Sequence, residues 1–149
     1  MCSTKSRRGQ RSQKVLGSRR QGREAALQVL YLKDVTRGAL AQVPEMVWSS
    51  EPLTPKIREF AGRLADGVLE RQDTIDALIK KYAENWEMNR MAALDRGILR
   101  MAAWEILYET DTPINVIINE ALEIAKKYST GESSRFVNGI LDKIKLERK

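Results

Sequence analysis

PINVIINEALEIAKKYSTGESSRFVNGILDKI, residues 113–144, reads as two amphipathic helices with a polar break between them. Ile117, Ala121, Ile124, Ala125 and Tyr128 recur at helical spacing, which predicts a helix over 114–128 with one buried face. Val137, Ile140, Leu141 and Ile144 repeat the pattern in a final helix. Between them stand Thr130, Gly131, Ser133 and Ser134, which are turn and cap formers. Gly131 is expected to close the first helix and Ser133 or Ser134 to cap the second. Phe136 is left at the edge of the second apolar stripe with Arg135 beside it. It is either a partly buried core residue or an aromatic held out for an unpaired base.

The same periodicity runs through the chain, and no stretch alternates with period two. Ser18 is placed to cap a helix running to about Thr36, with Ala26, Leu27, Leu30 and Tyr31 on or near its buried face. A short helix is expected around Glu45 to Trp48. Thr54-Pro55 is a helix start, and the spacing of Ile57, Phe60, Leu64, Val68, Ile75, Leu78, Ile79 and Tyr82 predicts one long helix over 55–82. Met91, Leu94, Ile98, Met101, Ala102 and Ile106 mark another, ended by Pro113. Trp48, Trp86 and Trp104 are expected in the core or between lobes. The chain is thus expected to be all-α, with about seven helices.

A length of 149 residues suits one domain, here 18–149, preceded by a flexible basic arm over 1–17. Residues 1–23 hold eight of the 26 Lys/Arg and no acid, so the other 126 residues carry 18 basic and 20 acidic side chains. The positive excess therefore lies wholly at the N-terminus, where it gains from counterion release at a polyanion such as nucleic acid. The arm lacks the large apolar residues that anchor a helix to a membrane. No apolar run is long enough to span a bilayer, and no signal-peptide pattern is present. The single Cys2 points to a reducing cytoplasm.

The chain has no His, which excludes Ser-His-Asp and Cys-His catalysis and most zinc-ligand sets. There is no Walker A loop and no G-x-G-x-x-G. No catalytic, cofactor or metal residue is expected, and a binding protein is the better class.

Three blocks go beyond generic helix: SRRQGREAALQVLYLKD (18–34), NRMAALDRGILRMAAWEIL (89–107) and the opening stretch. In order and spacing they resemble the NusB family of bacterial transcription antitermination factors, over nearly everything from Ser18 to Ile144. The resemblance implies two small helical bundles packed together. It implies binding of the boxA element of nascent transcripts, notably ribosomal RNA leaders. It also implies pairing with the small-subunit ribosomal protein that doubles as NusE, within an elongation complex holding other Nus factors. The alternative is a helical interaction protein whose homodimerisation masks the arginine surface, without direct sequence-specific RNA binding. The arm begins earlier than in a typical member. The family's arginine-rich stretch is also diluted by Gln21 and Gly22, and Gly22 weakens the first helical turn by about 1 kcal/mol relative to Ala.

Carried over residue by residue, the resemblance implies that Arg19, Arg20 and Arg23 grip phosphates or stack on bases. It selects the stacking role for Phe136, with Arg135 supplying backbone charge. Tyr31 and Asp95 match positions at the NusE interface. Asp95 has a plainer reading as a helix ion pair with Arg96 or Arg100. Asn119 and Glu120 are expected to make capping or interhelical hydrogen bonds, Gly139 to mark close helix packing, and Asn138 to be structural or RNA-facing.

Overall fold

From Gly97 through Ile106 every residue of one helix is buried, and a helix enclosed on all sides is the centre of its fold. The structure, a computed structural model, describes residues 3–39, 42–50, 52–83, 87–129 and 131–148, with side chains from residue 19 onward except at 89. Cys2, Trp86, Thr130 and the side chains of the basic arm lie outside them.

Among the described residues seven α-helices follow in order: α1 Ser3–Val35, α2 Val43–Ser50, α3 Pro55–Glu70, α4 Gln72–Tyr82, α5 Ala93–Tyr108, α6 Ile114–Tyr128 and α7 Gly131–Ile144. Short 3₁₀ turns cover Met88–Arg90 and Lys145–Glu147. Helices α1, α2 and α3 form one group and α4, α6 and α7 the other, and α5 packs against α1 and α3 on one side and α4, α6 and α7 on the other. The core is continuous across both, from Ala26 and Leu64 through Ile98 and Leu99 to Ile124 and Leu141. No strand occurs among the described residues.

Two sequence expectations about boundaries hold closely. The helix at 114–128 has the expected ends, and Thr54 caps α3 by accepting from the Ile57 N–H at 3.3 Å with Pro55 behind it. Others are corrected. The long helix over 55–82 is two helices broken at Arg71, whose backbone (φ −115°, ψ 18°) leaves the helical region while its N–H bonds the Gly67 and Val68 carbonyls. Val68 and Ile75 are seven residues apart, about two helical turns, so the apolar phase survives the break and hides it from a periodicity reading. The break sends α3 to one helix group and α4 to the other. Ser18 is inside α1 rather than at its cap, because the helix begins at Ser3. Gly131 opens α7 instead of closing α6, which ends at an extended Ser129 (φ −138°, ψ −159°). Ser133 and Ser134 consequently lie within the first turn of α7.

Gly22 is used for proximity. A Cβ there would stand 2.9 Å from Phe60 and 3.1 Å from Ile57, so its absence lets α3 lie close against α1. Gly67 does the same for Trp104 between α3 and α5. Gly139, expected at a close contact, is exposed with nothing within 4 Å of a Cβ. The helices meet elsewhere on α7, along Val137, Ile140, Leu141 and Ile144. Trp104 is buried and Trp48 is half-buried against the core.

Candidate nucleic-acid interface

The three arginines of α1 meet three different environments. Arg19 is exposed, and its guanidinium stacks 4.4 Å from the centroid of the buried Phe60 ring of α3. Such stacking holds the fork in place while leaving its edge to solvent. Arg20 is half-buried and donates through Nε to Glu120 of α6 at 2.7 Å. That hydrogen bond, chiefly, raises the arginine's pKa above its ordinary value.

Arg23 is 3% exposed and donates from Nε and Nη2 to both Glu105 oxygens at 2.9–3.2 Å. Burial pushes the Glu105 carboxyl up, and the hydrogen bonds from Arg23 draw it back. The expected phosphate-gripping role of Arg23 is therefore corrected. On a helix Arg19 and Arg23 share a face, but the second lies one turn deeper between α1 and α5, where its charge needs a buried carboxylate.

The cleft beside Arg19 holds a cation that sequence reading missed. Arg63 of α3 approaches the Phe60 ring at 5.6 Å and donates to Glu109 at 2.6 Å. Its only local sequence sign is that it stands three residues from Phe60, and that becomes informative only once Gly22 has brought α3 against α1. Arg19, Arg63, Asp111, Thr112, Pro113 and Val116 are among the residues around this cleft of about 400 Å³. Its loop wall is pinned by Arg148, whose guanidinium donates to the carbonyls of Glu105, Ile106, Glu109 and Thr112 at 2.7–3.2 Å. These bonds tie the last turn of α5 to the chain that follows it, the Glu105 and Glu109 carbonyls also accepting the backbone N–H groups of Glu109 and Thr112.

Helix α6 is linked to α1 by two ion pairs, Arg20–Glu120 and Lys127–Glu24, the latter at 3.0 Å. Glu120 is thus an interhelical partner, as expected of it, and Asn119 and Asn138 are exposed. On α7, Arg135 is exposed and Phe136 is half-buried, packed against the core at its edge.

The expected partner surface divides. Tyr31 is 37% exposed on α1. Asp95 is 8% exposed and accepts hydrogen bonds from Ser133 at 3.0 Å and Ser129 at 3.3 Å. It is neither the surface charge nor the arginine partner expected of it: Arg96 pairs with Asp34 at 2.9 Å and Arg100 with Asp76 at 2.8 Å. Asp95 stands in the first turn of α5, where the α6–α7 junction closes over it, so its carboxylate is spent on serine hydroxyls.

No group of three or more Cys, Asp or Glu placed to hold a metal ion occurs among the described residues. No described helix is long and apolar enough to cross a membrane.

Comparison with known proteins draws these features together. The model of the NusB family matches residues 20–145. The transcription antitermination protein NusB of Geobacter sulfurreducens is 49% identical over 87% of this chain and 94% of its own. That of Elusimicrobium minutum is 46% identical over 90% of this chain and 97% of its own. Among solved structures, T. maritima NusB superposes with a TM-score of 0.79 at 39% identity, covering 87% of this chain and 92% of that one. A chain from the crystal structure of antitermination factors NusB and NusE in complex with dsRNA gives a TM-score of 0.78 at 25% identity, covering 87% of this chain and 97% of that one. With the seven-helix fold, the arginine-bearing start of α1 and a family match over most of its length, this chain belongs to the NusB family.

Proposed function

We propose that the protein is a transcription antitermination factor that binds boxA RNA of nascent transcripts, notably ribosomal RNA leaders, together with the ribosomal protein NusE. The observation that carries this reading is the likeness, across 87% of the chain, to a chain from the structure of NusB and NusE with RNA. The exposed Arg19, stacked on Phe60, supports it by presenting a fixed guanidinium fork suited to phosphate. In this reading Arg19, Arg20, Arg135 and Phe136 meet RNA, and Arg23 holds the helix that carries two of them. Tyr31 meets NusE with an apolar ring and a hydroxyl able to find a partner. Asp95 acts from beneath, by holding the α6–α7 junction against α5. The other Nus factors and RNA polymerase complete the assembly, in the cytoplasm and without a membrane.

Sedimentation of the purified protein, with and without boxA RNA and NusE, tests the reading. The expected result is a complex that grows with each component and weakens steeply as salt rises. RNA-independent dimers with no affinity for RNA would overturn it in favour of an interaction protein whose dimerisation covers the arginine surface.

A further inference from the structure

The cleft between α1, α3 and the α5–α6 connection is neither basic enough to be a simple phosphate trap nor apolar enough to be core. Most of its charges are already matched: Arg23 with Glu105, Arg63 with Glu109, Arg20 with Glu120. Among the described residues, two charged groups on the cleft have no ionic partner. They are Arg19 and the exposed Asp111. The exposed Pro113 and Val116 line the same cleft, the latter 43% exposed. The loop that bears Asp111 and Pro113 is held by the bonds from Arg148, so the wall is preformed.

One free cation, one free carboxylate and an apolar surface in about 400 Å³ match the parts of a single nucleotide. We propose that this cleft is a subsite for one unpaired guanine nucleotide of the bound RNA, an inference that rests on the proposed function. Arg19, held against the Phe60 ring, takes the phosphate. The face of the base lies on Val116 and Pro113, and its edge meets Asp111. A carboxylate only accepts hydrogen bonds, so it suits an edge with adjacent donors. Guanine offers an imino and an amino N–H side by side. Cytosine sets an acceptor beside its amino group, and uracil has a single imino donor. Single-stranded RNA is commonly read in this manner, by unstacked bases bonded along their Watson–Crick edges.

The test uses the full chain and boxA RNA in which each guanosine in turn is replaced by inosine, which keeps the imino N–H and lacks the 2-amino group. One position is expected to lose about tenfold in affinity with the unaltered protein and less than about twofold with Asp111→Ala. Asp111 is exposed and makes no described side-chain hydrogen bond, and a second variant, Asp111→Asn, keeps its size if the alanine form is poorly behaved. If no inosine is penalised, or the penalty persists in both variants while unmodified RNA still binds, the subsite is overturned and the RNA-binding function stands. Failure of the unaltered protein to bind any boxA RNA would instead remove the function and the subsite with it.

Discussion

Charge is handled in opposite ways at the surface of the helix groups and against the central helix α5. Around Arg19, Arg20 and Arg63 it stays within reach of solvent, stacked on Phe60 or paired with carboxylates on neighbouring helices. Against α5 charge is buried: Arg23 with Glu105 in its last turn, and Asp95 with Ser129 and Ser133 in its first. The outer groups can exchange a carboxylate for a phosphate because their desolvation is small. The inner groups cannot, because a buried charge stripped of its partner has no water to turn to. Within one basic motif, burial therefore separates the arginine that serves the scaffold from those left within reach of solvent.

The largest effect expected from breaking this division is at the inner pair. Arg23→Ala leaves Glu105 buried and unpaired and should cost about 3–5 kcal/mol of folding stability in chemical denaturation. A loss under about 1 kcal/mol would return Arg23 to the surface set. Asp95→Ala should come next, at about 1–3 kcal/mol, because the two serine hydroxyls lose their shared acceptor. An unchanged melting temperature would mean that Asp95 serves the surface after all.

Phe136→Ala sharpens the comparison from the boundary between the layers. Its ring is only half-buried, so the stability loss should fall below the about 3–5 kcal/mol of a full core Phe. Loss of a stacked base should weaken boxA binding by about 1–3 kcal/mol. Stability lost without any change in RNA titration would place Phe136 wholly with the scaffold. The smallest expected change in stability is for Arg19→Ala, within about 1 kcal/mol, since its contact with Phe60 is at the surface. Its RNA affinity should nonetheless fall, and the slope of log affinity against log salt should drop by about one phosphate contact. An unaltered slope would show that the stacked guanidinium faces no phosphate.

Much of the helical framework was legible from residue order. The stripe of Ile117, Ala121, Ile124 and Ala125 located α6 to the residue, and Thr54-Pro55 located the start of α3. The break at Arg71 was not legible, because a connection that keeps the helical phase looks like continuous helix. The break after α6 was legible, but Gly131 was assigned to the wrong side of it. Turn-forming residues show that the chain changes direction without showing which helix each belongs to. In the candidate site, Arg19 and Arg20 were visible as a motif, whereas Arg63 and Asp111 were not, since they come from segments that meet α1 only after folding.

The sequence by itself determined that the chain is helical, which faces of most helices are apolar, and that its positive excess sits before Glu24. These are properties of one helix at a time, set by the 3.6-residue period and by composition. Tertiary structure decided which charges are outside. Gly22 admits Phe60 to the side of α1, Phe60 carries Arg19, and the depth of α5 draws Arg23 and Asp95 inward. The energy of a charge depends on the water and partners around it, and those are supplied by residues distant in sequence, as Glu105 is at 82 positions from Arg23.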